Sequence, residues 1–208
     1  MKATSPASTA KRCASATAVA IFALLAIIAP AGADEVFLAE DEAPGAVFPK
    51  ADRFERHDVA TNENLRARIA EALGRAKPTV LEPSYPLFEA WKNDELLGRA
   101  IIVQEIGKHR PITFIVGVEP DGDIAGVSVM VYREAYGGEV RSGRFLTQYR
   151  GKDSRAPLLP GADIRNITGA TLSVQAIGRG VKKAIAVAAL ANHSHDHSHE
   201  DGIAEAGG

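Results

Sequence analysis

The apolar positions of this chain change their period along its length, and each change predicts an element. Ala14 to Ile28 is a charge-free apolar run. Asp34 to about Val59 is acidic and punctuated by Pro and Gly, with short apolar patches at Val36-Phe37-Leu38 and Val47-Phe48. A surface wrap with one small helix, and a strand through Phe54 to Val59, is expected there. From Asn62, residues Leu65, Ile69, Ala72, Leu73 and Ala76 recur at helical spacing until Lys77-Pro78, which predicts an amphipathic helix on a sheet. His57, just before it, reads as a surface residue.

Past Pro86 the helical period is lost. Leu87–Lys92, Leu97–Glu105, Pro111–Val118 and Ile124–Tyr132 are rich in β-branched and aromatic residues, and the connectors between them carry turn chemistry: Asn93-Asp94, Gly107 to Arg110, and Glu119 to Asp123. They predict a four-stranded antiparallel meander. Trp91 reads as core or edge packing, with stacking on a ligand as the alternative. Ser142 to Tyr149 predicts a short helix with Phe145 and Tyr149 on one face, and Gly151 to Ala162 a loop. Val174, Ile177, Val181, Ile185 and Ala188 then mark the buried stripe of a long helix, in which Gly178 and Gly180 predict a close approach to the sheet. The fold class expected is α+β: an antiparallel sheet of about four to six strands packed against helices, in a single domain after a signal peptide.

Charge placement refines the domain map. Lys2, Lys11 and Arg12 precede the first apolar run, and Ala31-Gly32-Ala33 follows it, the pattern of a cleavable export signal over residues 1–33; an uncleaved anchor is the alternative. Without the leader, the balance of 24 basic and 26 acidic residues becomes 21 and 26, so the mature chain has no general pull on nucleic acid. The single cysteine, Cys13, lies in the leader, which excludes disulfides, iron–sulfur clusters and c-type haem from the mature part. Redox chemistry there would need an organic cofactor or a metal. The divisions expected are an extension with its helix at 34–84, a main domain at 85–191 and a His-rich flexible tail at 192–208.

Two stretches carry candidate chemistry in the main domain. Thr168-Gly169-Ala170-Thr171 is a small-residue turn placed where the long helix begins, followed by Leu172 and Ser173. Unpartnered N–H groups and the positive helix end favour an anion there, and Gly169 and Ala170 let a bulky ligand approach the backbone. The alternative is a plain N-cap. Tyr132, Glu134, Tyr136 and Gly137 lie in Val131 to Glu139, with aromatic rings, a carboxylate and a Gly137-Gly138 hinge; this suits a flat ring with polar edges, or else simply ends a strand. In the tail, His193, His195, His197 and His199 alternate with Ser and Asp, a pattern for weak capture of Zn, Cu, Ni or Fe, or for a solubilising end. No nucleophile–base pair and no nicotinamide fingerprint is present.

Thr168 to Thr171 ahead of a small-residue helix resembles the S/T-G-A-T signature of the FMN-binding domain family, the module of the G subunit of Rnf complexes and the C subunit of the Na+-pumping NADH:quinone reductase. Val131 to Glu139, followed by Phe145, Gln148, Tyr149, Gly151 and Lys152, looks like that family's H-x-E-T-P-G-L-G and F-x-x-Q-F/Y-x-G-K segments. Tyr132 stands where the family often has His, Tyr136 where it has Pro, and Gly138-Glu139 where it has Leu-Gly. Arg165 occupies a position that usually carries an acid, with Asp163 two residues upstream. The resemblance spans about residues 85 to 190. It implies FMN as cofactor, held by Thr168, Gly169, Ala170, Thr171, Leu172, Ser173, Tyr132, Glu134, Tyr136 and Gly137, with a phosphoester to Thr171 placed by a flavin transferase. It implies an electron-transfer module rather than a stand-alone enzyme, periplasmic or otherwise extracytoplasmic, with a membrane redox partner that is quinone- or NADH-linked or ferric-reductase-like. A metal-binding exported protein acting through its histidine tail is the competing expectation, with flavin-linked metal reduction joining the two.

Overall fold

The computed structural model describes residues 35–200, and side chains as far as Asn192. The expected signal segment lies outside the described residues. Strands β1 (Glu35–Val36), β2 (Arg53–Ala60), β3 (Ser84–Lys92), β4 (Glu95–Ile106), β5 (Pro111–Val118) and β6 (Ile124–Tyr132) form one antiparallel sheet in the order β1-β6-β5-β4-β3-β2. Helices α1 (Ala43–Val47), α2 (Glu63–Leu73), α3 (Gly143–Leu146) and α4 (Thr171–Glu200) complete it. This is the expected α+β class, with the meander of β3 to β6 extended by one strand on each edge.

Local chemistry explains the turns. Asn93 and Asp94 both take positive φ, 47° and 64°, as a two-residue hairpin following the right-handed strand twist requires. Asn62 caps α2 by accepting the Leu65 N–H at 2.9 Å. The sequence period carries this helix to Ala76, but it stops at Leu73 because Gly74, at φ 59°, turns the chain out of the helix four residues before Pro78.

β5 from Ile112 to Val118 and the middle of β4 from Gly98 to Val103 are continuously buried, because both faces of the sheet are covered. On one face α2 and α4 bury Leu65, Ile69, Val174, Ile177 and Val181 against Leu87, Ile101, Val103, Phe114 and Val116. On the other, Ala43, Val47 and Phe48 cover Phe88, Ala100, Ile102 and Ile115. Each large side chain so buried contributes roughly 1.5–3 kcal/mol. Phe145 and Tyr149 meet edge to face at 6.1 Å and belong to the first of these cores.

The two glycines of α4 let it sit close. A Cβ on Gly180 would lie 2.3 Å from Phe114 Cζ of β5, whereas one on Gly178 would lie 2.2 Å from the Leu158 carbonyl oxygen, a loop rather than the sheet. Alanine at 178 gains about 1 kcal/mol of helix propensity but strikes backbone, an overpacking cost of roughly 1–3 kcal/mol. Gly178→Ala is therefore expected to lower stability in urea unfolding although alanine is the better helix former; a stabilised variant would contradict this packing.

The backbone of α4 continues past Asn192 as far as Glu200 and takes in His193, His195, His197 and His199. Residues 201–208 lie outside the described residues. No helix among the described residues is long and apolar enough to cross a membrane.

Candidate functional site

The two stretches singled out in the sequence meet. Ile167 to Ala170 closes a turn in which the Ala170 N–H donates to Ile167 O at 2.9 Å, with Gly169 at φ 82° supplying the left-handed residue. The first bond within α4 follows at once, from Val174 N–H to Ala170 O at 3.0 Å. The N–H groups of Thr171, Leu172 and Ser173 precede it, at the positive end of the helix. Against this corner packs Gly137, at φ 80°, where a Cβ would lie 2.8 Å from Ala170 Cβ.

Between the two runs a cleft of about 640 Å³, lined by Glu134, Tyr136, Gly137, Thr168 to Ser173 and, from the β4–β5 turn, Lys108 and His109. Its size lies within the range that encloses a cofactor-sized ligand. Tyr136 stands at the rim, 85% exposed, and Leu172 is 47% exposed. Nothing lies within 4 Å of where a Cβ on Gly169 would be, so the corner is open. The Thr171 hydroxyl is half-buried and accepts from Asn166 Nδ2 at 2.9 Å, which orients its oxygen.

Tyr132 lies behind the cleft lining. Its ring belongs to the main core and is only 3% exposed, so it supports the cleft from behind instead of facing it. Its hydroxyl donates to Tyr136 O at 2.6 Å and lies 3.4 Å from Ser173 Oγ, tying the rim loop to the first turn of α4. Burial pushes the phenol's pKa up, so it stays a donor at neutral pH.

Glu134 lines the cleft, yet its carboxylate is already engaged. Oε1 accepts the backbone N–H groups of Lys108, His109 and Arg110 at 2.5, 2.6 and 3.0 Å. Burial alone would raise its pKa; the three donors and the His109 ring outweigh that and hold it below the usual carboxylate range. A carboxyl depressed in this way stabilises the fold above its unfolded pKa, and the contribution disappears as pH falls through the lower folded value. Glu134→Ala is expected to cost about 1–2 kcal/mol at neutral pH, with the gap to wild type closing in acid. Urea unfolding at both pH values checks this; a gap that persists in acid would contradict it.

The second motif braces the approach to the corner. Gln148 Oε1 accepts the Arg165 N–H at 2.7 Å, and Lys152 pairs with Asp163 at 3.3 Å. Asp163 also accepts the Leu159 N–H at 3.0 Å, so it is committed to the loop and does not replace the acid that Arg165 displaces. Lys108, His109 and Asn166 were not singled out in the sequence as cleft residues. The first two lie more than twenty residues from either motif, and only the register of β4, β5 and β6 brings them in. Trp91 lies at the far end of β3 from the cleft, with Arg53 over its ring at 5.4 Å.

Residues 107–186 match the family model described as FMN-binding domain. This segment is an FMN-binding domain. It runs from the β4–β5 turn through the cleft and most of α4, and so contains every lining residue of the site. Among solved structures, the crystal structure of Shewanella oneidensis NqrC matches with a TM-score of 0.47 and 16% identity, over 68% of this chain and 82% of that one. No curated protein matches in sequence. The cofactor of the domain is FMN, and the donor set fits it. The helix start and the Lys108 ammonium suit a phosphate, the open glycine corner admits a bulky group, and Tyr136 offers a ring face at the rim.

Proposed function

We propose that this chain is an exported electron carrier whose FMN is fixed at Thr171. The observation that carries the proposal is the meeting of the Thr168–Thr171 corner and the Glu134–Gly137 segment in one cleft at the start of α4. The flavin supplies the redox chemistry when bound. The protein's own part is to hold it: α4, anchored along its length, keeps the corner from drifting relative to the rim loop, and the Tyr132–Ser173 contact links the two. The exposed Tyr136 and Leu172 leave a face by which a partner approaches.

Attachment is proposed at the Thr171 oxygen, which Asn166 orients and which is partly accessible. The bond is a phosphoester placed by a flavin transferase, formally FMN joined to the threonine with loss of water. The leader pattern supports action outside the cytoplasm, and the donor is proposed to be a membrane redox protein that is quinone- or NADH-linked or ferric-reductase-like. Cell fractionation with redox titration tests the proposal. A carrier is expected outside the cytoplasm, its flavin reduced and reoxidised reversibly without an added organic substrate. A cytoplasmic protein, or a flavin that turns over only with such a substrate, would overturn the reading.

A further inference from the structure

Of the residues that line the flavin cleft, only Tyr136 and Leu172 carry a large apolar side chain. They come from the two different runs that bound it, Tyr136 from the loop after β6 and Leu172 from the first turn of α4. The other lining side chains are polar or no larger than alanine, so a flat apolar ring that enters the cleft finds its covering faces in these two.

Tyr136 is the more informative of the pair. At 85% exposed it is the most exposed large apolar side chain among the described residues. A single exposed apolar residue by itself carries no meaning; what sets this one apart is the backbone beneath it. Its carbonyl oxygen accepts the buried Tyr132 hydroxyl at 2.6 Å. The next residue, Gly137, sits so close to the corner that a Cβ there would lie 2.8 Å from Ala170 Cβ. Two residues before it, Glu134 is tied to three backbone N–H groups of the β4–β5 turn. The main chain is thus fixed on both sides of Tyr136, while no ion pair, ring contact or side-chain hydrogen bond holds the ring itself among the described residues. Only χ1 and χ2 remain free. A tyrosine on such a stalk loses little conformational entropy when it settles on a ligand.

The flavin ring system is flat and electron-poor, and the phenol ring is electron-rich, a pairing that favours offset stacking. We infer that Tyr136 is a positioning residue for the flavin: its ring swings onto the outer face of the bound isoalloxazine, opposite Leu172, and shields it from solvent. The inference rests on the FMN reading above and adds to it what covers the ring. The family signature has proline at this position, so the cover belongs to this chain.

The test compares the flavin-loaded full chain with Tyr136→Phe and Tyr136→Ser, using flavin content and the unfolding midpoint as controls. Two signals are followed. The first is flavin fluorescence, which a tyrosine in contact lowers by passing an electron to the excited ring and taking it back. The second is the lifetime-corrected rate constant for quenching by iodide, which reports how open the ring is to solvent. Wild type is expected to be dim and shielded. Tyr136→Phe keeps the cover without the electron donor, so it should be bright and still shielded. Tyr136→Ser should be bright, with the iodide rate constant raised about two- to tenfold, the range of an aromatic stacking contact. A serine variant that matches wild type in both signals would overturn the inference, as would a phenylalanine variant as open to iodide as the serine one. A full chain that takes up no FMN at the loading step would overturn the flavin reading, and this inference with it.

Discussion

Replacing Lys183 with methionine is expected to remove about 3–5 kcal/mol of stability, the range for breaking a buried ion pair from one side. Lys183 is completely buried. Its ammonium donates to Gln104 O at 2.7 Å, Val80 O at 2.9 Å and Glu82 Oε2 at 2.9 Å, and lies 3.1 Å from Glu105 Oε1. Glu105 is itself fully buried and takes Arg179 at 3.0 Å and the Thr79 hydroxyl at 2.6 Å on its other oxygen. Methionine fills a similar volume but takes this cation from the Glu82 carboxylate and leaves the buried Glu105 paired with Arg179. For a chain of this size the loss corresponds to roughly 6–20 °C in Tm. Thermal unfolding of the flavin-loaded protein measures it, and an unchanged midpoint would contradict the role given to this network. Arg179 also donates to Ile106 O at 3.0 Å, next to the β4–β5 turn that walls the cleft, so the network fixes α4 at the register on which the flavin site depends.

The second large effect is chemical. Thr171→Val keeps the shape of the side chain and removes the hydroxyl that Asn166 orients. Made alongside a flavin transferase, the wild type is expected to stay yellow after denaturation, and the valine variant to lose all covalent flavin, its intact mass returning to that of the polypeptide. The fold should survive, because Thr171 is the first residue of α4 and helical bonding begins with Val174. A valine variant that keeps covalent flavin would place the attachment elsewhere, Thr168 being the nearest hydroxyl.

How much of this the sequence carried depended on the range of the interactions. β5 and β6 were readable to the residue because their ends are written locally, in Pro111, Pro120-Asp121-Gly122 and the apolar runs between. β1 was not, since Glu35 and Val36 become a strand only by pairing with Tyr132 and Val131. The turn at Thr168 to Thr171 was legible as a turn because Gly169 announces the positive φ. The burial of Tyr132 was not legible, because a strand-end aromatic does not declare which face is core. Lys183 is the clearest case of a signal the sequence lacks. Beside Lys182 on a helix it reads as solvent-facing, and only the arrival of Glu82 and Glu105 from other elements makes it a core residue.

The most direct test of the flavin corner is peptide mapping of the protein made with a flavin transferase. Trypsin cuts after Arg165 and Arg179, which isolates Asn166–Arg179, the turn and the first turns of α4 together. One peptide is expected to carry all the flavin fluorescence, with the mass of this segment plus FMN less water. Flavin on any other peptide, or none on this one, would contradict the account.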